Sequence, residues 1–141
     1  SFEILDIDYF KQYNDRYGHQ AGDDCVRAIA ALIRQMESDQ IFCARYGGDE
    51  FVIIYSGMSA EEVCERAEKL RQDVMALQIE QRYTEGAFGV TISQGICHDI
   101  PSNGNKNWDF LHVADQALYR VKRRGRNRLC MTDIHGREIE V

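Results

Sequence analysis

Residues 45–51 read RYGGDEF, Arg45 to Phe51, and lie between two apolar runs, IFCARY and FVIIY. Two strand-like runs joined through Gly47-Gly48 predict a tight two-residue β-hairpin, because glycine readily takes the positive φ that such turns require. The hairpin makes its strands antiparallel and sets the character of the sheet. Asp49 and Glu50 follow at once, where the turn passes into a buried strand. A carboxylate there is costly unless it is ion-paired, hydrogen-bonded or metal-bound. The glycines suit a phosphate that approaches backbone closely, and the acids repel one.

A second acidic pair, Asp6 and Asp8, closes the run FEILDID, in which alternate residues share one face of a strand. If the two strands are neighbours, Asp6, Asp8, Asp49 and Glu50 converge, and such a cluster repels itself unless divalent cations fill it. Mg²⁺ binds through one or two carboxylates plus substrate phosphates. A metal therefore reconciles acids with an anionic ligand. Other motif readings fit worse. DIDYFKQYN begins like a calcium loop, but Phe10 and Lys11 stand where that loop needs a ligand and a glycine, and neither a P-loop nor G-x-G-x-x-G occurs. The 4 histidines do not cluster.

Apolar periodicity predicts helices over 24–36, 60–77 and 109–123. Ser59 with Glu62 forms a capping box for the second, and Gly125 terminates the third. Strands are expected at 2–7, 41–46, 51–55, 90–96 and 128–131, with a loop over 99–107 that holds the single proline. Strands and helices interleave without repeat or linker, which predicts one domain over 1–141 of α/β (α+β) class, with a mostly antiparallel central sheet flanked by helices. At 141 residues the chain is long enough to bury about 70% of its unfolded surface. A net charge of -6 speaks against nucleic-acid or membrane-surface binding. The 5 scattered cysteines, never in C-x-x-C spacing, fit a reducing cytoplasm better than a disulfide framework. The strand-like start without Met reads as a fragment of a longer chain, and a membrane anchor elsewhere in that chain stays open.

Three blocks, DIDYFKQYNDRYGHQAGDD (6–24), RYGGDEF (45–51) and ADQALYRVKRRGRNR (114–128), together resemble the hallmark blocks of the GGDEF family, the bacterial diguanylate cyclases. The resemblance implies a fold like the nucleotidyl cyclases and the polymerase palm, and the condensation of two GTP into cyclic di-GMP with release of two pyrophosphates. It implies Mg²⁺ or Mn²⁺, two per site, held by Asp6, the Ile7 carbonyl, Asp49 and Glu50, with Asp49 the general base. Asp8 matches the motif and is open to a structural role. Asn14 and Asp23 match the guanine-contacting pair, and His19 a substrate-lining position. The amides of Tyr9, Phe10 and Lys11, beginning a short helix, would face the β- and γ-phosphates. Gly47 and Gly48 would line the substrate, and Lys122 and Arg126 match the phosphate-binding cations.

Each site holds one GTP, so the resemblance implies a transient homodimer, with an upstream sensory or dimerisation domain to form it. Two departures stand out. The family's product-inhibition pair, Arg-x-x-Asp, is replaced by Ser38 and Ile41, and the family's opening helical block is missing. The rival reading is a catalytically silent GGDEF module that binds GTP as receptor or scaffold.

Overall fold

The computed structural model describes residues 1–81, 89–99 and 107–141, apart from the side chains of Asn107 and Trp108. The order is β1 (Phe2–Ile7), α1 (Phe10–Tyr17), α2 (His19–Arg34), β2 (Ile41–Arg45), β3 (Glu50–Tyr55), α3 (Ala60–Ala76), β4 (Ile92–Cys97), α4 (Asn107–Arg123) and β5 (Leu129–Thr132). One five-stranded sheet runs in the order β2-β3-β1-β4-β5. The first three pairings are antiparallel and β4–β5 is parallel, so the mostly antiparallel sheet expected from the hairpin is present, with one parallel pair that makes it mixed. Strand β1 sits at its centre. Most of the expected 99–107 loop falls outside the described residues.

The alternation of β1 divides the core. Leu5 and Ile7 belong to a large cluster with Ile29 and Ile33 of α2, Ile53 and Tyr55 of β3, and Val63, Leu70 and Val74 of α3. Ile4 belongs to a smaller cluster with Cys97, Val113, Ala114 and Leu118. Helices α2 and α3 therefore cover one face and α4 the other. Gly95 makes the α4 side close: a Cβ there would lie 2.3 Å from the Ala114 carbonyl oxygen and 2.3 Å from the Leu118 nitrogen. Backbone packs on backbone at that point. Among the described residues no helix is long and apolar enough to cross a membrane.

The capping box forms as expected, with the Glu62 amide donating to Ser59 Oγ at 3.1 Å and the Ser59 amide to Glu62 Oε1 at 3.3 Å. Gly125, at φ 110°, follows the end of α4. Elsewhere the boundaries move. Helix α2 begins at His19, five residues before the expected start, because Gly18 (φ 93°, ψ 162°) breaks the chain between α1 and α2. Its first turns, HQAGDD, are largely exposed and carry almost no apolar periodicity to read.

The hairpin is also wider than two residues. Ala44 faces Val52 and Arg45 faces Phe51, while the amides of Tyr46 and Gly47 both donate to the Glu50 carbonyl, at 2.8 and 3.2 Å. Neither Gly47 nor Gly48 takes a positive φ. A Cβ at Gly47 would meet only Glu50 Cβ at 3.8 Å, and one at Gly48 would meet nothing within 4 Å.

Candidate active site

Strand β1, central in the sheet, carries Asp6 to its C-terminal end on the α4 side, where it pairs across the register with Glu50 of β3. The Ile7 amide donates to the Asp49 carbonyl at 3.2 Å, which holds the hairpin base against the end of β1. From α4, Lys122 reaches down and its Nζ ion-pairs with Asp6 Oδ2. Asp6 is 7% exposed, and its other oxygen, Oδ1, is buried without a hydrogen-bond partner. Burial raises its pKa to about 6, and outweighs the opposing bond and charge of Lys122; the neighbouring Asp8 and Asp49 push the same way as burial. Burial likewise raises Asp49, against a backbone hydrogen bond and the charges of Lys122 and Arg45. These two acids are thus poorly solvated, and the cations beside them offset their burial only in part.

The convergence of four carboxylates holds only in part. Asp8 turns into the protein: its carboxylate accepts from Thr91 Oγ1 at 2.7 Å, Ser93 Oγ at 2.6 Å and the Asn127 amide at 3.1 Å. With those bonds it ties β1 to β4 and to the turn after α4. Among the described residues no three His, Cys, Asp or Glu side chains form a ready metal cage. The donor set nevertheless suits a hard cation that keeps water or substrate oxygens: a buried, unpartnered carboxylate oxygen on Asp6, with Asp49 and Glu50 alongside.

Arg126 comes to the same place. Its guanidinium lies 4.6 Å from the ring centroid of Tyr9, and Nη1 is 3.5 Å from the Lys122 carbonyl. Tyr9 precedes α1 with left-handed backbone (φ 56°, ψ 34°) and no side chain caps that helix. The first amides of α1, from Phe10 and the exposed Lys11 onward, therefore depend on water or a ligand.

Asn14, His19 and Asp23 form a separate group on α1 and α2. His19 and Asp23 are exposed, and Asn14 is half-buried with its Oδ1 unpartnered. Gly22, buried inside α2, was not among the expected site residues. A Cβ there would lie 1.7 Å from Asn14 Oδ1 and 2.8 Å from Asn14 Cγ. A glycine inside a helical pattern is the signal that could have found it. Arg45 was likewise missed as a hairpin clamp: Nε donates to the Gly47 carbonyl at 3.0 Å and Nη2 to that of Gly48 at 2.6 Å. At the position of the inhibition pair, Ser38 and Ile41 exchange backbone hydrogen bonds at 3.1 and 3.3 Å, and the Ile41 side chain is buried in the main core.

The family model for "Diguanylate cyclase, GGDEF domain" matches residues 1–128. Diguanylate cyclase A of Treponema denticola is 35% identical over 133 residues, covering 94% of this chain and 35% of its own length. A diguanylate cyclase of Vibrio cholerae is 35% identical, covering 90% of this chain and 38% of its own length. The chain thus spans about a third of the length of these relatives. Among solved structures, the GGDEF domain of DgcB from Caulobacter crescentus in complex with c-di-GMP is similar at TM-score 0.82 and 36% identity, over 95% of this chain and 77% of that one. A match across nearly the whole of the described sheet and its helices places this chain in the GGDEF-domain family of diguanylate cyclases.

Proposed function

We propose that this domain is a diguanylate cyclase that joins two GTP into cyclic di-GMP and releases two pyrophosphates, at the interface of two copies. The observation that carries the reading is the hairpin tip. Its two glycines are required neither by backbone conformation nor by packing within the chain, yet they adjoin Asp49 and the Asp6–Lys122 pair. Open backbone at that point leaves room for a bulky anionic ligand.

Asp6, the Ile7 carbonyl, Asp49 and Glu50 would hold Mg²⁺ or Mn²⁺, two per site, which when bound supply charge stabilisation at the attacking and leaving oxygens. The chain's own residues do the rest. Lys122 and Arg126 draw the triphosphate to the uncapped start of α1, where the amides of Tyr9, Phe10 and Lys11 donate to its anionic oxygens. Asp49, its pKa raised by burial, is suited to take the proton from the 3′-hydroxyl. Asp23 accepts from N1–H and N2–H of guanine, Asn14 adds a polar contact beside it, and His19 lines the same edge. Adenine presents an acceptor where guanine presents a donor, so GTP is favoured over ATP.

Both 3′,5′ linkages form only if each bound nucleotide is attacker and attacked, so two domains must face one another with two-fold symmetry. The greater length of the relatives supports an upstream sensory or dimerising region. Incubation with GTP and Mg²⁺, with separation of the products, tests the reading. Cyclic di-GMP and pyrophosphate in a 1:2 ratio are expected from the chemistry. Tight GTP binding with no product would favour the silent receptor instead.

A further inference from the structure

Tyr9 (φ 56°), Arg126 (φ 65°) and Asn127 (φ 50°) all hold left-handed backbone within the candidate site. Residues with side chains are uncommon in that region and stay there only where their surroundings hold them. The turn at Arg126 and Asn127 is held from two sides. Asp8, at the end of β1, accepts the Asn127 amide at 3.1 Å. From α3, Arg71 Nη1 donates to Asn127 Oδ1 at 3.2 Å and reaches the Asn127 carbonyl at 3.5 Å. The other side of the same guanidinium grips Glu68, Nη2 to Oε1 at 2.6 Å and Nε to Oε2 at 2.9 Å. The Arg71 side chain is only 20% exposed.

We propose that Arg71, acting through Asn127, is a positioning residue for Arg126: Glu68 fixes the Arg71 fork, the fork and Asp8 fix Asn127, and the resulting left-handed turn holds Arg126 over Tyr9 beside Lys122. The inference rests on the cyclase reading, which gives Arg126 a nucleotide phosphate to bind. Arginine suits the task because a planar fork serves a carboxylate on one edge and a second acceptor pair on another. Lysine, a point charge, cannot hold both in fixed geometry. Arg71 lies on an element that supplies none of the proposed ligand contacts. Its influence on the ligand therefore runs through the turn.

Binding of a non-hydrolysable GTP analogue and of GMP, each with Mg²⁺, is measured by calorimetry for the wild-type chain, Arg71→Met, Arg71→Lys, Arg126→Ala and Arg71→Met/Arg126→Ala. Arg71→Met is expected to weaken the analogue by about fivefold to tenfold, as for residues coupled through a shared neighbour, and to leave GMP within about twofold, since GMP lacks the β- and γ-phosphates. Arg71→Lys should show the same phosphate-selective loss, and it keeps the question open to test should Arg71→Met fail to fold. In the Arg126→Ala background the Arg71 change should add nothing. Wild-type affinity in both Arg71 variants, equal losses for GMP and analogue, or fully additive losses with Arg126→Ala would each overturn the assignment. A wild-type chain that binds neither nucleotide would instead bring down the cyclase reading, and this inference with it.

Discussion

The Tyr55 hydroxyl donates a 2.7 Å hydrogen bond to Glu3 Oε1, deep in the main core where Glu3 is 0% and Tyr55 2% exposed. Burial raises the Glu3 carboxyl from 4.5 to about 8, and the Tyr55 bond opposes this only partly. The folded chain therefore keeps a proton that the unfolded chain releases near pH 4.5. This contribution to stability is complete below the unfolded pKa and is lost progressively as pH rises toward about 8. At roughly 1.4 kcal/mol per pH unit, the loss by pH 7 is on the order of 3 kcal/mol. Glu3→Gln should flatten that slope and gain stability over wild type at pH 8 relative to pH 5. Denaturant titrations giving parallel pH profiles for the two proteins would count against a buried, protonated Glu3.

Asp49→Ala shortens a half-buried side chain in a cleft, so the fold should survive while turnover disappears. With GTP and Mg²⁺, retention of more than about a tenth of wild-type turnover would correspond to a loss under roughly 1.4 kcal/mol and remove Asp49 from the chemistry.

Gly22→Ala offers a test in which helix propensity and ligand binding move apart. Alanine is favoured over glycine inside a helix by about 1 kcal/mol, but here the new methyl must displace the Asn14 carboxamide, the nearest atom being 1.7 Å away. A flexible side-chain tip can swing aside, so a folded protein is expected, with GTP affinity lowered about tenfold by the loss of one good polar contact. Wild-type affinity in a folded Gly22→Ala would detach Asn14 from the base.

Asp23→Ser should weaken the preference for GTP and admit ATP, because the carboxylate that opposes adenine is gone. Competition between the two nucleotides gives the answer directly. Unchanged selectivity would place the guanine edge elsewhere.

For two half-sites, specific activity should rise with domain concentration, and fusion to a dimeric coiled coil should raise it further. A net charge of -6 per copy opposes casual association. Activity per milligram that stays flat across a hundredfold dilution, from a species sedimenting as a monomer, would contradict the shared site.

The features legible in the sequence were those carried by short spacings. Gly47-Gly48 between two apolar runs announced β2 and β3, Ser59 with Glu62 announced the start of α3, and the acids of β1 and the hairpin did come to one end of the sheet. The start of α2 was hidden because residues from His19 to Asp24 face mostly water and lack a period. The real width of the hairpin was hidden too, since Gly-Gly fits a wide turn as readily as a tight one. The role of Asp8 depends on Thr91, Ser93 and Asn127, which are 83 to 119 positions away, and no local pattern encodes such partners. Arg71 is another such case: its link to Asn127, 56 positions away, has no local signal in the sequence.

The close approach at Gly95 gives the candidate site a kind of insulation. Side chains along most of the α4 interface can be exchanged for others of similar volume, and the helix will adjust by small shifts. Where the Ala114 carbonyl and the Leu118 amide rest on a bare strand, there is no side chain to exchange, so the helix axis keeps its height above the sheet. Lys122 is one turn further along the same helix, opposite Asp6. The gap between cation and acid is thus gauged by main chain rather than by the side chains around it.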